Sequence, residues 1–223
     1  MTVPEGDAAI ITPKDLRRPH ALRAVIFDFG MVICSFDLML FLRSLSSITG
    51  KPVTVLQDVL IPLHPLAMRY ETGLLTTDEF YREAVRQTGL NISRESFGRA
   101  YNGIFTPIPS TIELIRRLKP RYKLGLLSNT SEWHFEYGIK PVEIFPLFDA
   151  VTLSYEVKAM KPDERIYHDA LSKLGMDAPE CVYIDDLEEN ATAAGRLGMH
   201  AIHYQNPRQL LTALENLGVF PSV

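Results

Sequence analysis

Two apolar runs that end in acid constrain this chain more than anything else in it. Ala24-Val25-Ile26-Phe27 runs into Asp28, and Cys181-Val182-Tyr183-Ile184 runs into Asp185-Asp186. Runs of this kind read as buried strands that carry a carboxylate to the edge of a sheet. In open α/β sheets the ligands bind at the C-terminal ends of the strands. A carboxylate delivered there is a nucleophile, a metal ligand, or both.

The rest of the chain fits that start. From Lys123 onward, strand patterns at Lys123 to Leu127, Ala150 to Leu153, Cys181 to Asp185 and Met199 to Tyr204 alternate with helical ones. Asp163 to Leu174 is closed by Gly175, and Leu187 to Leu197 by Gly198. Such alternation predicts an α/β fold, a Rossmann-like parallel sheet with helices on both faces. Between the first strand and the second lies a helical block. Leu38, Phe41, Leu42 and Leu45 make one helical face, Thr76 to Glu79 a capping box, and Ser93 opens a helix carrying Phe97 and Tyr101. Thr106-Pro107-Ile108-Pro109 reads as the return linker, and Ser110 to Glu113 as a second capping box. The expected organisation is an N-terminal tail at 1–20, a core of 21–36 and 106–223, and a small all-helical cap at 37–105 lying over Asp28.

At 223 residues the chain has room for one core and a small insert, and 46% hydrophobic with 22% charged residues is ordinary globular composition. A formal net charge of −4, with no basic cluster interleaved with aromatics, gives no reason to expect a nucleic-acid partner. Neither a signal-peptide core nor a membrane-length apolar stretch is found, and Cys34 and Cys181 sit in apolar neighbourhoods, so a cytoplasmic protein with reduced thiols is expected. Leu60, Ile61 and Leu63 pack either inward or against a partner, which leaves monomer and homodimer both open.

Four segments converge on one sheet edge: Asp28; Ser128-Asn129-Thr130; Lys161-Pro162; and Asp185-Asp186 with Asn190. Singly, each has a structural reading, as a turn former, a helix cap or a helix start. In this order and spacing they resemble the haloacid dehalogenase superfamily of hydrolases over roughly residues 21 to 205. The similarity points to the branch with an inserted helical cap, which includes small-molecule phosphatases and the phosphatase domain of soluble epoxide hydrolase. The resemblance implies a phosphatase of a small phosphorylated metabolite working through an aspartyl phosphate on Asp28. Mg²⁺ would be held by Asp28, Asp186 and the Gly30 carbonyl. Lys161, Ser128 and the Asn129 amide would face the phosphoryl oxygens, and Asp185 and Asn190 would orient Lys161 and the metal's waters. Lys161 is preferred to Lys158 because Pro162 marks the helix start. Substrate contacts are expected in the cap at His64, Arg69 and Tyr70. Trp133, His134 and Phe135 follow the serine motif as pocket floor or core, and His168 and His203 are read as structural.

The chain departs from the family pattern two residues after Asp28. The usual aspartate, which protonates the leaving oxygen, is Gly30 here, and Met31 and Val32 stand where glycine and threonine are usual. A missing general acid costs on the order of 10²- to 10⁴-fold in rate unless the leaving group is good. Anomeric sugar phosphates and acyl phosphates are therefore the expected substrates, or else a cap residue such as His64 or Tyr70 replaces the acid. Two other readings are a 2-haloacid dehalogenase, whose halide needs no proton, and a non-catalytic binding or regulatory protein on the same fold.

Overall fold

A computed structural model describes residues 21–220, so the expected tail at 1–20 lies outside the described residues. Seven strands follow in chain order: β1 (Ala24–Phe27), β2 (Cys34–Phe36), β3 (Phe105–Pro107), β4 (Lys123–Ser128), β5 (Ala150–Leu153), β6 (Cys181–Asp185) and β7 (His200–His203). Five of them form a parallel sheet in the order β5-β4-β1-β6-β7, so β1 is central and its neighbours are β4 and β6. Phe27 is level with Leu126 on one side and Ile184 on the other. That register brings Asp28, Ser128 and Asp185 to the same edge.

The sheet is covered on both faces, as a parallel sheet requires. Val25 and Phe27 pack with Ile112 and Ile115 of α6 (Pro109–Leu118) and with Leu210 and Leu214 of α11 (Pro207–Asn216). Ala24 and Ile26 point the other way, to Ile166 and Ala170 of α9 (Glu164–Leu174) and Ala194 of α10 (Glu188–Arg196). Cys34 and Cys181 are free and buried, and burial pushes both thiols up to about 12. No helix among the described residues is long and apolar enough to cross a membrane.

The helical block comprises α1 (Leu38–Thr49), α2 (Val53–Leu60), α3 (His64–Glu71), α4 (Thr77–Thr88) and α5 (Arg94–Asn102), which bury a cluster of their own around Phe41, Leu45, Leu56, Tyr70, Phe80 and Phe97. Thr76 and Glu79 form the expected capping box, and Gly50, Gly89 and Gly175 end their helices with positive φ. Three local expectations are corrected. Leu38 is 58% exposed rather than on the buried face of α1, because it stands at the first position of the helix, after the Asp37 cap. Ser110 does not cap α6, since Pro109 takes the first helical position and Ile108 precedes it with no side-chain cap bond. The return linker contains a strand: β3 pairs antiparallel with β2 at the entrance to the helical block. The remaining short helices are α7 (Glu132–His134), just after β4, and α8 (Ser154–Val157), just after β5.

Candidate active site

Asp28 leaves the end of β1 with its backbone N–H still bonded to Ile184, and its Oδ1 accepts from the Phe29 amide at 2.7 Å. The same oxygen meets the Lys161 ammonium at 2.8 Å. Lys161 reaches across to Asp185 Oδ2 at 2.7 Å, so one buried cation joins the acids of two strands. Burial alone would pull the lysine's pKa down, but Asp28 and Asp185 outweigh it and hold the ammonium charged.

Two clamps fix this arrangement. The Asn129 side chain binds the backbone of Lys161 reciprocally, accepting from its N–H at 2.8 Å and donating to its carbonyl at 3.1 Å. Asp185 is saturated: Oδ2 takes Lys161 and the Tyr183 hydroxyl, while Oδ1 takes the Leu187 amide at 2.9 Å and the Asn190 amide at 3.0 Å. A carboxylate with four donors around it positions its neighbours and has little capacity left for a ligand. Asp186 is different, being half-buried beside the other two acids. Asp28, Asp185 and Asp186 each offer a carboxylate oxygen within 4.8 Å of one another. Burial first, then Asp185 and Asp186, push Asp28 up, against the pull of Lys161, to about 7.

The structure gathers Asp28, Gly30, Ser128, Asn129, Lys161, Asp185, Asp186 and Asn190 at this edge, and separates the two candidate lysines. Lys158 turns away and donates to the Gly73 carbonyl at 2.6 Å. Of the three cap candidates, only His64 lines the cavity described next. Arg69 is exposed and outside it. Tyr70 is also outside it: buried in the cap cluster, its hydroxyl bonds Thr77 at 2.6 Å and accepts from the Trp133 amide at 3.1 Å, tying α3 to α7 after β4. Trp133 packs among the cap aromatics, Phe135 against the sheet core, and His134 lines the cavity stacked on Tyr101 at 4.1 Å. His168 is exposed, and His203 lies behind the site with a ring nitrogen 3.0 Å from the Asp186 carbonyl.

The cavity has a volume of about 770 Å³ and lies between the helical block and the sheet edge. Gly30, Ser128, Asn129 and Thr130 form its polar end, and Leu38, Phe41, Leu42 and Ile61 are among the apolar side chains of the remainder. Glu71 is a lining residue that the sequence did not single out. It ends α3 one position after Tyr70, and a helix turns about 100° per residue, so the tyrosine faces the cap cluster and the glutamate faces the cavity. Its carbonyl accepts from Ser154 Oγ at 2.6 Å, and Ser154 in turn accepts from the Thr130 amide at 2.9 Å. Burial pushes its carboxyl up to about 7.

Comparison with known proteins places this geometry. Among curated proteins, the chain is 27% identical over 139 residues to an (S)-2-haloacid dehalogenase of Pseudomonas putida, covering 61% of each chain. It is 25% identical over 207 residues to a D-ribitol-5-phosphate phosphatase of Bacteroides thetaiotaomicron, covering 87% of this chain and 99% of that one. It is likewise 25% identical over 207 residues to a sesquiterpene phosphatase of Aspergillus oryzae, covering 86% and 94%. The chain thus spans less than two thirds of the dehalogenase and nearly all of the two phosphatases. Its fold matches that of a HAD family enzyme from Bacteroides thetaiotaomicron solved with magnesium and inorganic phosphate, at a TM-score of 0.72 and 24% identity over 83% of this chain and 95% of the other. A sequence model of haloacid dehalogenase-like hydrolases matches residues 70–204, more than half of the chain. The chain belongs to the haloacid dehalogenase-like hydrolase family.

Proposed function

We propose that this protein is a magnesium-dependent phosphatase of a small phosphate monoester, with residues 37–105 acting as its cap. The observation that carries the reading is a charge imbalance. Asp28, Asp185 and half-buried Asp186 share one corner with a single ammonium, a deficit of positive charge, and burial first, then the two neighbouring acids, push Asp28 up to about 7. A donor set made only of oxygens with that deficit suits a hard divalent cation. Asp28, Asp186 and the Gly30 carbonyl would hold it, with Asp185 fixing Lys161 beside them. When bound, the ion neutralises the phosphoryl group's charge against the attacking carboxylate.

The chain's own residues supply the rest. Asp28 attacks phosphorus in line, the ester P–O bond breaks, and water then hydrolyses the aspartyl phosphate. Lys161 and the Ser128 hydroxyl, with the Asn129 amide, stabilise the phosphoryl oxygens. Relatives named as phosphatases, and a similar fold solved with magnesium and phosphate, support this reading. Dehalogenation is less well served: with no cation added, Asp185 and Asp186 beside Asp28 would repel both the attacking carboxylate and the carboxylate of a 2-haloacid. The buried, unpaired cysteines fit a reducing cytoplasm.

Hydrolysis of p-nitrophenyl phosphate with and without Mg²⁺ tests the proposal. Turnover that needs Mg²⁺ and falls at least 10³-fold in Asp28→Asn supports it. Halide release from a 2-haloacid without metal would replace it with dehalogenation, and binding of Mg²⁺ and phosphate without turnover on any ester would replace it with a binding role.

A further inference from the structure

Relatives named as a D-ribitol-5-phosphate phosphatase and a sesquiterpene phosphatase differ widely in the group that carries the phosphate, so their names leave the substrate class open. The cavity decides between such classes. Its polar end is the nucleophile's loop and the serine loop, where a phosphoryl group belongs. Away from that end the described side chains are mostly apolar, with Gln57, His64, Glu71, His134 and the Tyr101 hydroxyl the polar exceptions. His134 is already engaged with the Tyr101 carbonyl at 3.2 Å. A polyol enclosed here would bury hydroxyls without partners, each at a cost of roughly 1–3 kcal/mol. An apolar group gains instead, by about 25 cal/mol per Å² removed from water. The absence of a lining Lys or Arg among the described residues also disfavours a second anionic group on the substrate.

Resting on the phosphatase reading, we infer that the substrate is the monophosphate of an apolar alcohol, its hydrocarbon portion lying against Leu38, Phe41, Leu42 and Ile61. The opening matches, for Leu38 and Ile61 are 58% and 68% exposed where they border the cavity. The test is kcat/KM with Mg²⁺ for n-alkyl phosphates from ethyl to decyl, with ribitol 5-phosphate and glucose 6-phosphate as polar comparators and p-nitrophenyl phosphate as the reference. The expected rise is about fourfold per methylene, the equivalent of about 0.8 kcal/mol, until the cavity is filled. Leu38→Glu, a change at an exposed position, should flatten that rise. A flat series, or a polyol phosphate preferred to octyl phosphate while p-nitrophenyl phosphate is hydrolysed, overturns the inference. No hydrolysis of any ester overturns the phosphatase reading itself, and the inference with it.

An alkyl leaving group needs a proton, and Gly30 supplies none. A separate observation bears on this: Glu71 is the one carboxylic side chain lining the cavity, and it makes no hydrogen bond or ion pair among the described residues. Its backbone is held to the serine loop through Ser154, and Tyr101 of α5 lines the same cavity. We propose Glu71 as the proton donor to the leaving oxygen. Its carboxyl proton passes to the ester oxygen as the P–O bond breaks, and the carboxylate regains a proton from the water that hydrolyses the aspartyl phosphate. Burial that keeps the carboxyl protonated near neutral pH supports the role. Glu71→Gln keeps the backbone bond to Ser154. It should lower kcat on octyl phosphate about 10²-fold and on p-nitrophenyl phosphate less than threefold. Equal losses on both esters, or none on either, overturn the assignment.

Discussion

At position 31 the backbone passes through a left-handed conformation, φ 56°, that a methionine side chain adopts at a cost of about 1 kcal/mol. Met31→Gly should relieve that strain, with a net gain of about 0.5 kcal/mol once glycine's greater unfolded-state entropy is subtracted. Urea unfolding measures it, and a loss of stability would show that the side chain contributes more than it strains. One residue earlier, a β-carbon on Gly30 would meet only the Phe36 ring, at 3.5 Å, and so lies in ordinary contact. Gly30→Asp is thus accommodated, and should raise activity on alkyl phosphates at least tenfold in the Glu71→Gln background while changing p-nitrophenyl phosphate turnover little. Equal effects on both esters would count against a missing-acid account. The acids of the corner were legible in the chain because Asp28 and Asp185 lie at strand ends, where register brings distant motifs together, and Lys161 was legible from Pro162 beside it. Glu71 was not legible, because nothing in the sequence said which face of α3 looks into the cavity.

Among the elements, the boundary between helical block and sheet is held by aromatic contacts, Trp133 packing on Phe80 and Phe97, and by polar ones. The Tyr70 hydroxyl ends α3's contribution to the cap cluster, yet it pairs with Thr77 at the start of α4 and with the backbone amide of Trp133 after β4. Tyr70→Phe keeps the packing and leaves a buried N–H without a partner. It should therefore cost about 1–3 kcal/mol of unfolding free energy, and a loss below 0.5 kcal/mol by urea denaturation would show that the bond is not structural. The strands and helices of the sheet were legible from apolar runs and glycine stops, and β5 and β6 fall at their expected limits. The β2–β3 pair was not. Each strand has three residues, one ends in proline, and too few alternations fit in that length for period two to show. The Ser110 capping box failed for a related reason: Pro109 starts the helix one residue before the serine it resembled.

For the whole molecule, two titratable groups between helical block and sheet, buried His134 and half-buried Glu71, pull stability in opposite directions with pH. His134 is pushed down by burial to about 4, so the unfolded chain protonates first and stability is lost as pH falls from about 6.5 toward 4. Glu71 is pushed up by burial to about 7. Its contribution is fully present below about 4.5, the ordinary glutamate value, and is lost as pH rises through 7, because the unfolded chain ionises while the folded one resists. In the wild-type protein these slopes largely cancel between pH 4.5 and 6.5. Glu71→Gln removes one of them. The variant should match the wild type near pH 4.5 and exceed it by about 1–2 kcal/mol at pH 8, where glutamine carries no charge to desolvate. Urea unfolding of both proteins at pH 4.5, 6 and 8 reads the difference directly, and a gain that does not grow with pH would place the carboxyl in solvent. A variant that is more stable at neutral pH and slower on octyl phosphate is the signature of a half-buried acid retained for chemistry at the expense of the fold.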